Sequence, residues 1–168
     1  MLLEKAFAKL FLNYHNIDGG NQSEALNVLT GAPTKYFSLK ENGIPALDQI
    51  WIFITNALEN KFIVTSASRG ESTVINNSQK GIVSNHAYSI LKAKEILLPD
   101  GTMERLIMMR NPWGNHEWTG DWSDNSPLWT NEIRKKLDYY PQEGDGTFWM
   151  RLLDFDTHFD TICSCQVQ

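Results

Sequence analysis

The sequence predicts an α+β domain built on antiparallel strands, and three observations carry that prediction. Apolar residues at helical spacing are concentrated in the first third of the chain. From about residue 62 onward β-branched and aromatic runs dominate, and two of them are joined by the turn Pro99-Asp100-Gly101. No strand–helix–strand alternation and no internal repeat asks for a parallel sheet.

The elements follow in order. Leu2, Leu3, Ala6, Phe7, Leu10, Phe11 and Tyr14 recur at i, i+3, i+4 and predict an amphipathic helix that stops at Asp18-Gly19-Gly20. Ser23 to Leu29 predicts a short second helix, broken by Thr30-Gly31-Ala32-Pro33. Leu47 to Leu58 predicts a strongly apolar helix with Ile50, Trp51, Ile54 and Leu58 on one side, leading into a strand at Phe62-Ile63-Val64-Thr65. Ser66 to Gly81 is polar, lacks periodicity and reads as a loop. His86 to Leu98 and Met103 to Arg110 form the hairpin. Ser126 to Leu137 predicts a surface helix with Pro127 near its start, Thr147 to Leu153 a further strand, and Phe155 and Phe159 a short apolar close.

Composition narrows the function. The 168 residues, 42% hydrophobic and 21% charged, with six Trp and eight Phe, fit one domain, 1–168, with a real core. The net charge of −5 comes without a Lys/Arg cluster, so no nucleic-acid partner is expected. No segment reaches the ~20 apolar residues of an integral membrane span, and Met1-Leu2-Leu3 runs straight into Glu4-Lys5, too short for a signal peptide. Cys163 and Cys165 lie two apart and form no disulfide framework, which fits a reducing, cytoplasmic setting.

His86 and Asn111 stand at the two ends of the hairpin. A histidine is a useful general base when its other ring nitrogen is held, and a neutral Asn oxygen accepts that N–H without adding charge. Pro112 biases Asn111 toward extended backbone and so aims its side chain. Counting outward from the turn leaves the residue opposite Asn111 about two residues from His86, roughly 7 Å along a strand, a gap that a bulge would close. The spacing alone also fits a histidine that caps a loop and an asparagine that begins a turn.

Five segments together narrow the choice: Leu2-Leu3-Glu4-Lys5-Ala6-Phe7-Ala8-Lys9-Leu10, Asn85-His86-Ala87-Tyr88-Ser89-Ile90, Arg110-Asn111-Pro112-Trp113-Gly114, Glu117-Trp118-Thr119-Gly120-Asp121-Trp122-Ser123-Asp124 and Gly146-Thr147-Phe148-Trp149-Met150. In this order they closely resemble the second subdomain of the calpain protease core, over essentially the whole chain. Calpains are intracellular, calcium-dependent cysteine endopeptidases with a papain-like core split across the cleft. Their first subdomain carries the nucleophilic Cys and an oxyanion-hole Gln, and the second carries His and Asn. The resemblance therefore implies a papain-like half-domain in which His86 is the general base, Asn111 its orienter and Trp113 an apolar wall beside them. It also implies a Cys-bearing first subdomain in the same parent chain as partner, and protein substrates.

Neither Cys163 nor Cys165 suits the nucleophile's role, because a reactive thiolate wants a helix N-terminus or a neighbouring cation and too few residues follow either one to build a helix. The chain alone is expected not to cleave peptides. The different class that stays open is a non-catalytic, calcium-responsive or partner-binding module, from a parent whose first half lacks the Cys.

Calcium takes six to eight oxygen ligands from carboxylates and carbonyls on loops. By resemblance, Glu117, Asp124 and Asp145 match its side-chain ligands, Glu143 a backbone-carbonyl ligand, and Thr147 stands where the family usually has Glu. A missing anionic ligand predicts a weaker site. By composition alone, the same residues read as two solvated acidic loops.

Overall fold

The structure is a computed structural model that describes residues 2–39, 47–71, 80–142 and 144–167. Its elements are α1 (Leu2–Leu10), a 3₁₀ turn (His15–Ile17), α2 (Gln22–Thr30), β1 (Thr34–Ser38), α3 (Leu47–Glu59), β2 (Ile63–Ser68), β3 (Ala87–Leu97), β4 (Met103–Arg110), α4 (Asn131–Leu137), β5 (Thr147–Arg151), α5 (Leu152–His158) and β6 (Phe159–Cys165). The strands form one sheet in the order β1-β6-β2-β3-β4-β5, every pair antiparallel. This is the expected α+β class, with helices flanking an antiparallel sheet. Among the described residues no helix is long and apolar enough to cross a membrane.

Two separate apolar clusters pack against the sheet, one on each face. One holds Ile50 and Ile54 of α3, Phe155 of α5, and Ile90, Ile107, Met109, Phe148 and Met150 from the strands. The other holds Trp122, Trp129, Ile133, Leu137, Tyr139, Ile96, Leu106 and Trp149. Successive strand residues point to opposite faces, so Phe148, Trp149 and Met150 alternate between the clusters and all three are fully buried.

A bulge at Leu91 lets one strand serve both clusters. Ile90 pairs with Met109 and Lys92 with Met108, leaving Leu91 as the extra residue. One inserted residue reverses the side-chain phase, so Ile90 faces the first cluster and Ile96 the second although both positions are even-numbered. A bulge is therefore present, but it does not close the expected gap. Beyond it Ser89 pairs with Arg110, so one step further Asn111 comes opposite Tyr88, two residues from His86.

Several element boundaries differ from expectation for local reasons. The first helix ends at Leu10 rather than running to the Asp18-Gly19-Gly20 stop: Leu12 turns left-handed at φ 78, and Asn16 donates its side-chain amide to Phe11 O at 2.9 Å. Asn side chains that bond nearby backbone compete with helix. The predicted surface helix from Ser126 begins instead at Asn131, because Thr130 is the cap and accepts Ile133 N–H at 3.1 Å; Ile133 and Leu137 form its buried stripe, and Asn131, Glu132, Lys135 and Lys136 face solvent. The polar stretch after Thr65 begins as strand, since β2 runs to Ser68; residues 72–79 of that predicted loop lie outside the described residues. β1 and β6 were not expected at all. β6 is a central strand, covered on both faces, so Ile162-Cys163-Ser164-Cys165 carries no alternation to read.

Candidate active site

The hairpin brings His86 and Asn111 together. His86 precedes β3 and is anchored by Ser68 at the end of β2: its N–H donates to Ser68 Oγ at 3.0 Å and its carbonyl accepts Ser68 N–H at 2.9 Å. Asn111 follows β4, is wholly buried, and donates its backbone N–H to Gly146 O at 2.8 Å. Between the side chains, His86 Nε2 lies 2.9 Å from Asn111 Oδ1.

Three backbone contacts fix which way the Asn111 amide faces. Its Nδ2 donates to Asn115 O at 2.7 Å and His116 O at 3.3 Å, and its Oδ1 accepts Trp113 N–H at 3.0 Å. Reversing the amide would set its oxygen against two carbonyls, so the oxygen must face His86. An amide oxygen only accepts, so His86 Nε2 carries the proton. Nδ1 is then the ring nitrogen left with a free lone pair.

Trp113 packs against this pair, its ring centroid 4.3 Å from that of His86 at an interplanar angle of 41°. The indole is 49% exposed, and His86 is only part-buried. The face they share is therefore an open, partly apolar wall. On the other side the His86 ring meets the edge of Tyr88 at 5.2 Å; Tyr88 Oη accepts Val83 N–H at 2.9 Å, and burial pushes its phenol up to about 12.

The match to known proteins comes with this geometry. A family model described as calpain family cysteine protease covers residues 1–166. The chain belongs to the calpain family. It is 38% identical over 170 residues to the calpain-type cysteine protease DEK1 of Arabidopsis thaliana, covering 99% of this chain and 8% of that protein. It is 35% identical to human calpain-14 over 167 residues and 35% identical to the calpain-2 catalytic subunit of Gallus gallus over 175, covering 99% of this chain and 23% of each relative. The chain thus spans less than a quarter of the length of these calpains.

Both cysteines of this calpain-family chain are free and buried in β6. Burial raises the Cys163 thiol above its ordinary value, the opposite of an activated thiolate. Cys165 Sγ sits 3.4 Å from Thr30 Oγ1.

Two of the predicted acidic residues, Glu117 and Asp145, hold the turn into β5, and Asp124 bonds Tyr139. Glu117 Oε1 accepts Gly146 N–H at 2.7 Å, Asp145 Oδ1 accepts Thr147 N–H at 2.6 Å, and Asp124 Oδ1 accepts the Tyr139 hydroxyl at 2.5 Å. Burial raises the Glu117 carboxyl above the usual carboxylate range; Asp124 and Asp145 push the same way, against the Gly146 N–H. Burial and the Asp124 contact likewise hold the Tyr139 phenol protonated. Thr147 opens β5 opposite Arg110, and Glu143 lies outside the described residues. Among the described residues no three His, Cys, Asp or Glu side chains converge closely enough to hold a metal ion. Asp121 is engaged elsewhere, paired with Arg151.

Sequence reasoning missed five contributors: Ser68, the Asn115 and His116 carbonyls, Gly146 and Tyr139. Gly146 left a trace in Gly144-Asp145-Gly146, a turn-forming run; Asn115 and His116 act locally, four and five residues beyond Asn111, but through backbone carbonyls that carry no residue signature, and Ser68 and Tyr139 act through tertiary contacts.

Proposed function

We propose that this chain is the His/Asn-bearing half of a calpain-type cysteine endopeptidase, working with a Cys-bearing first subdomain of the same parent chain on protein substrates in the cytoplasm. The carrying observation is the 2.9 Å contact between His86 Nε2 and an Asn111 oxygen whose direction the backbone dictates. In that role His86 Nδ1 takes the proton of the partner's thiol, and the thiolate attacks the peptide carbonyl. The imidazolium then protonates the leaving amine, and His86 activates a water to hydrolyse the acyl-enzyme. Asn111 holds the ring in one tautomer throughout, and Trp113 shields their hydrogen bond from water and so strengthens it.

Two surface features support a missing neighbour. Trp113 is half exposed beside the pair, and α1 presents Leu2, Leu3 and Leu10 to solvent. Large apolar groups left open in this way favour coverage by a partner.

Calcium is part of the proposal. Glu117, Asp124 and Asp145 are hard oxygen donors on loops; burial chiefly, with the neighbouring Asp124 and Asp145 charges adding to it, raises Glu117, and a divalent cation would relieve that cost. Bound there, calcium would supply charge that draws the loops together and helps align the subdomains, rather than acting on the peptide. Thr147 in place of an acidic ligand predicts low affinity.

The test joins this chain to its parent's upstream segment and assays calcium-dependent cleavage of a protein substrate. His86→Ala should abolish cleavage; undiminished turnover refutes the assignment. Ser or Lys at the upstream Cys position would instead favour the non-catalytic module.

A further inference from the structure

One residue touches both the His86–Asn111 pair and the acidic loops. Gly146 stands between two peptide units, and each has its N–H held by a carboxylate. Glu117 Oε1 accepts Gly146 N–H at 2.7 Å and Asp145 Oδ1 accepts Thr147 N–H at 2.6 Å. The second of these peptides carries the Gly146 carbonyl, which accepts Asn111 N–H at 2.8 Å.

Only glycine fits. Its φ is +80, and a Cβ at this position would lie 2.5 Å from Asn111 O and 2.9 Å from Gly114 Cα. The same freedom makes glycine a loose joint, because it rotates where other residues are restrained. Pinning both flanking N–H groups removes that looseness, and charge-assisted hydrogen bonds to carboxylates are the stronger kind. The loop carrying Glu117 also grips Asn111 from the other side, through the carbonyls of Asn115 and His116.

We propose that Glu117 and Asp145 are positioning residues for Asn111, acting through the two peptides that flank Gly146, so that any change at the acidic loops is felt at His86. The mechanical link stands on geometry; its catalytic meaning rests on reading His86 and Asn111 as the working pair. Removing either carboxylate frees the Gly146 joint, and the Asn111 backbone then loses the fixed acceptor that sets its register beside His86.

Nuclear magnetic resonance on the full chain tests this without activity. Glu117→Ala and Asp145→Ala should speed hydrogen exchange at the Asn111 backbone amide by about tenfold and reduce the Nε2–H tautomer fraction of His86, while the Ile107 amide in β4 keeps its protection. Glu117→Gln and Asp145→Asn retain an acceptor oxygen, and should hold Asn111 and His86 near wild type; they also remain informative where an alanine variant unfolds. Wild-type protection and tautomer in the folded alanine variants overturn the proposal. So does loss of protection at Ile107 equal to that at Asn111, which would mean global destabilisation. Calcium chloride added to wild type should move the Gly146, Asn111 and His86 signals together; movement of Gly146 alone overturns the link. Failure of the joined protein to cleave, with these signals behaving as expected, would sink the proteolytic reading and leave the link standing.

Discussion

Replacing Asn111 with Ala tests the centre of the site. The side chain is wholly buried and makes contacts of 2.7 Å to Asn115 O, 2.9 Å to His86 Nε2 and 3.0 Å to Trp113 N, besides a longer one to His116. At about 1 kcal/mol net for each of the three short bonds, the gross loss is about 3 kcal/mol. Trp113, Asn115 and His116 are exposed, so water restores part of it, and the expected loss is about 2 kcal/mol. For a domain of this size that corresponds to a melting point lower by about 4–8 °C. Urea unfolding followed by tryptophan fluorescence measures the loss, and nitrogen resonances of the His86 ring report the tautomer. A loss below about 0.5 kcal/mol with His86 still protonated at Nε2 would refute the reasoning, since it would mean that the buried amide neither stabilises the turn nor orients the imidazole.

Trp113→Ala should cost under about 1 kcal/mol, because the indole is half exposed, yet lower turnover in the joined protein by leaving the His86–Asn111 bond open to water; unchanged kcat would remove Trp113 from the site. Thr147→Glu should tighten calcium binding by restoring an anionic ligand, read by titration calorimetry; no gain would show that Thr147 does not border the cation. His158 packs edge-on to Trp118 at 5.1 Å, and burial lowers its pKa from the ordinary 6.5. A depressed histidine contributes stability that is full above 6.5 and lost as pH falls through its folded value. His158→Phe should therefore flatten the decline in unfolding free energy on acidification just below pH 6.5, and a decline as steep as wild type would contradict it.

Much of this protein is legible in its sequence. The Pro99-Asp100-Gly101 turn, the strands on either side of it and helix α3 follow from local chemistry, and β4 spans the expected Met103–Arg110. The segments around His86 and Asn111 mark the family, because short runs of specific residues survive without reference to three-dimensional context. β6 escaped because a strand buried on both faces shows no period of two, and α1 ran short because Asn13 and Asn16 redirect the backbone through side-chain bonds.

Tertiary structure decided the rest. The Leu91 bulge sets the register that puts Asn111 opposite Tyr88, and no residue type announces a bulge there. The ring nitrogen left with a free lone pair depends on which way a buried amide faces, which three backbone partners from residues 113 to 116 impose. Gly146 joins the acidic loops to Asn111 through contacts about 30 residues apart in sequence, a separation at which composition and periodicity carry no information. Residue identity determined what chemistry was available; packing determined which atoms face each other and therefore which of that chemistry the protein is able to use.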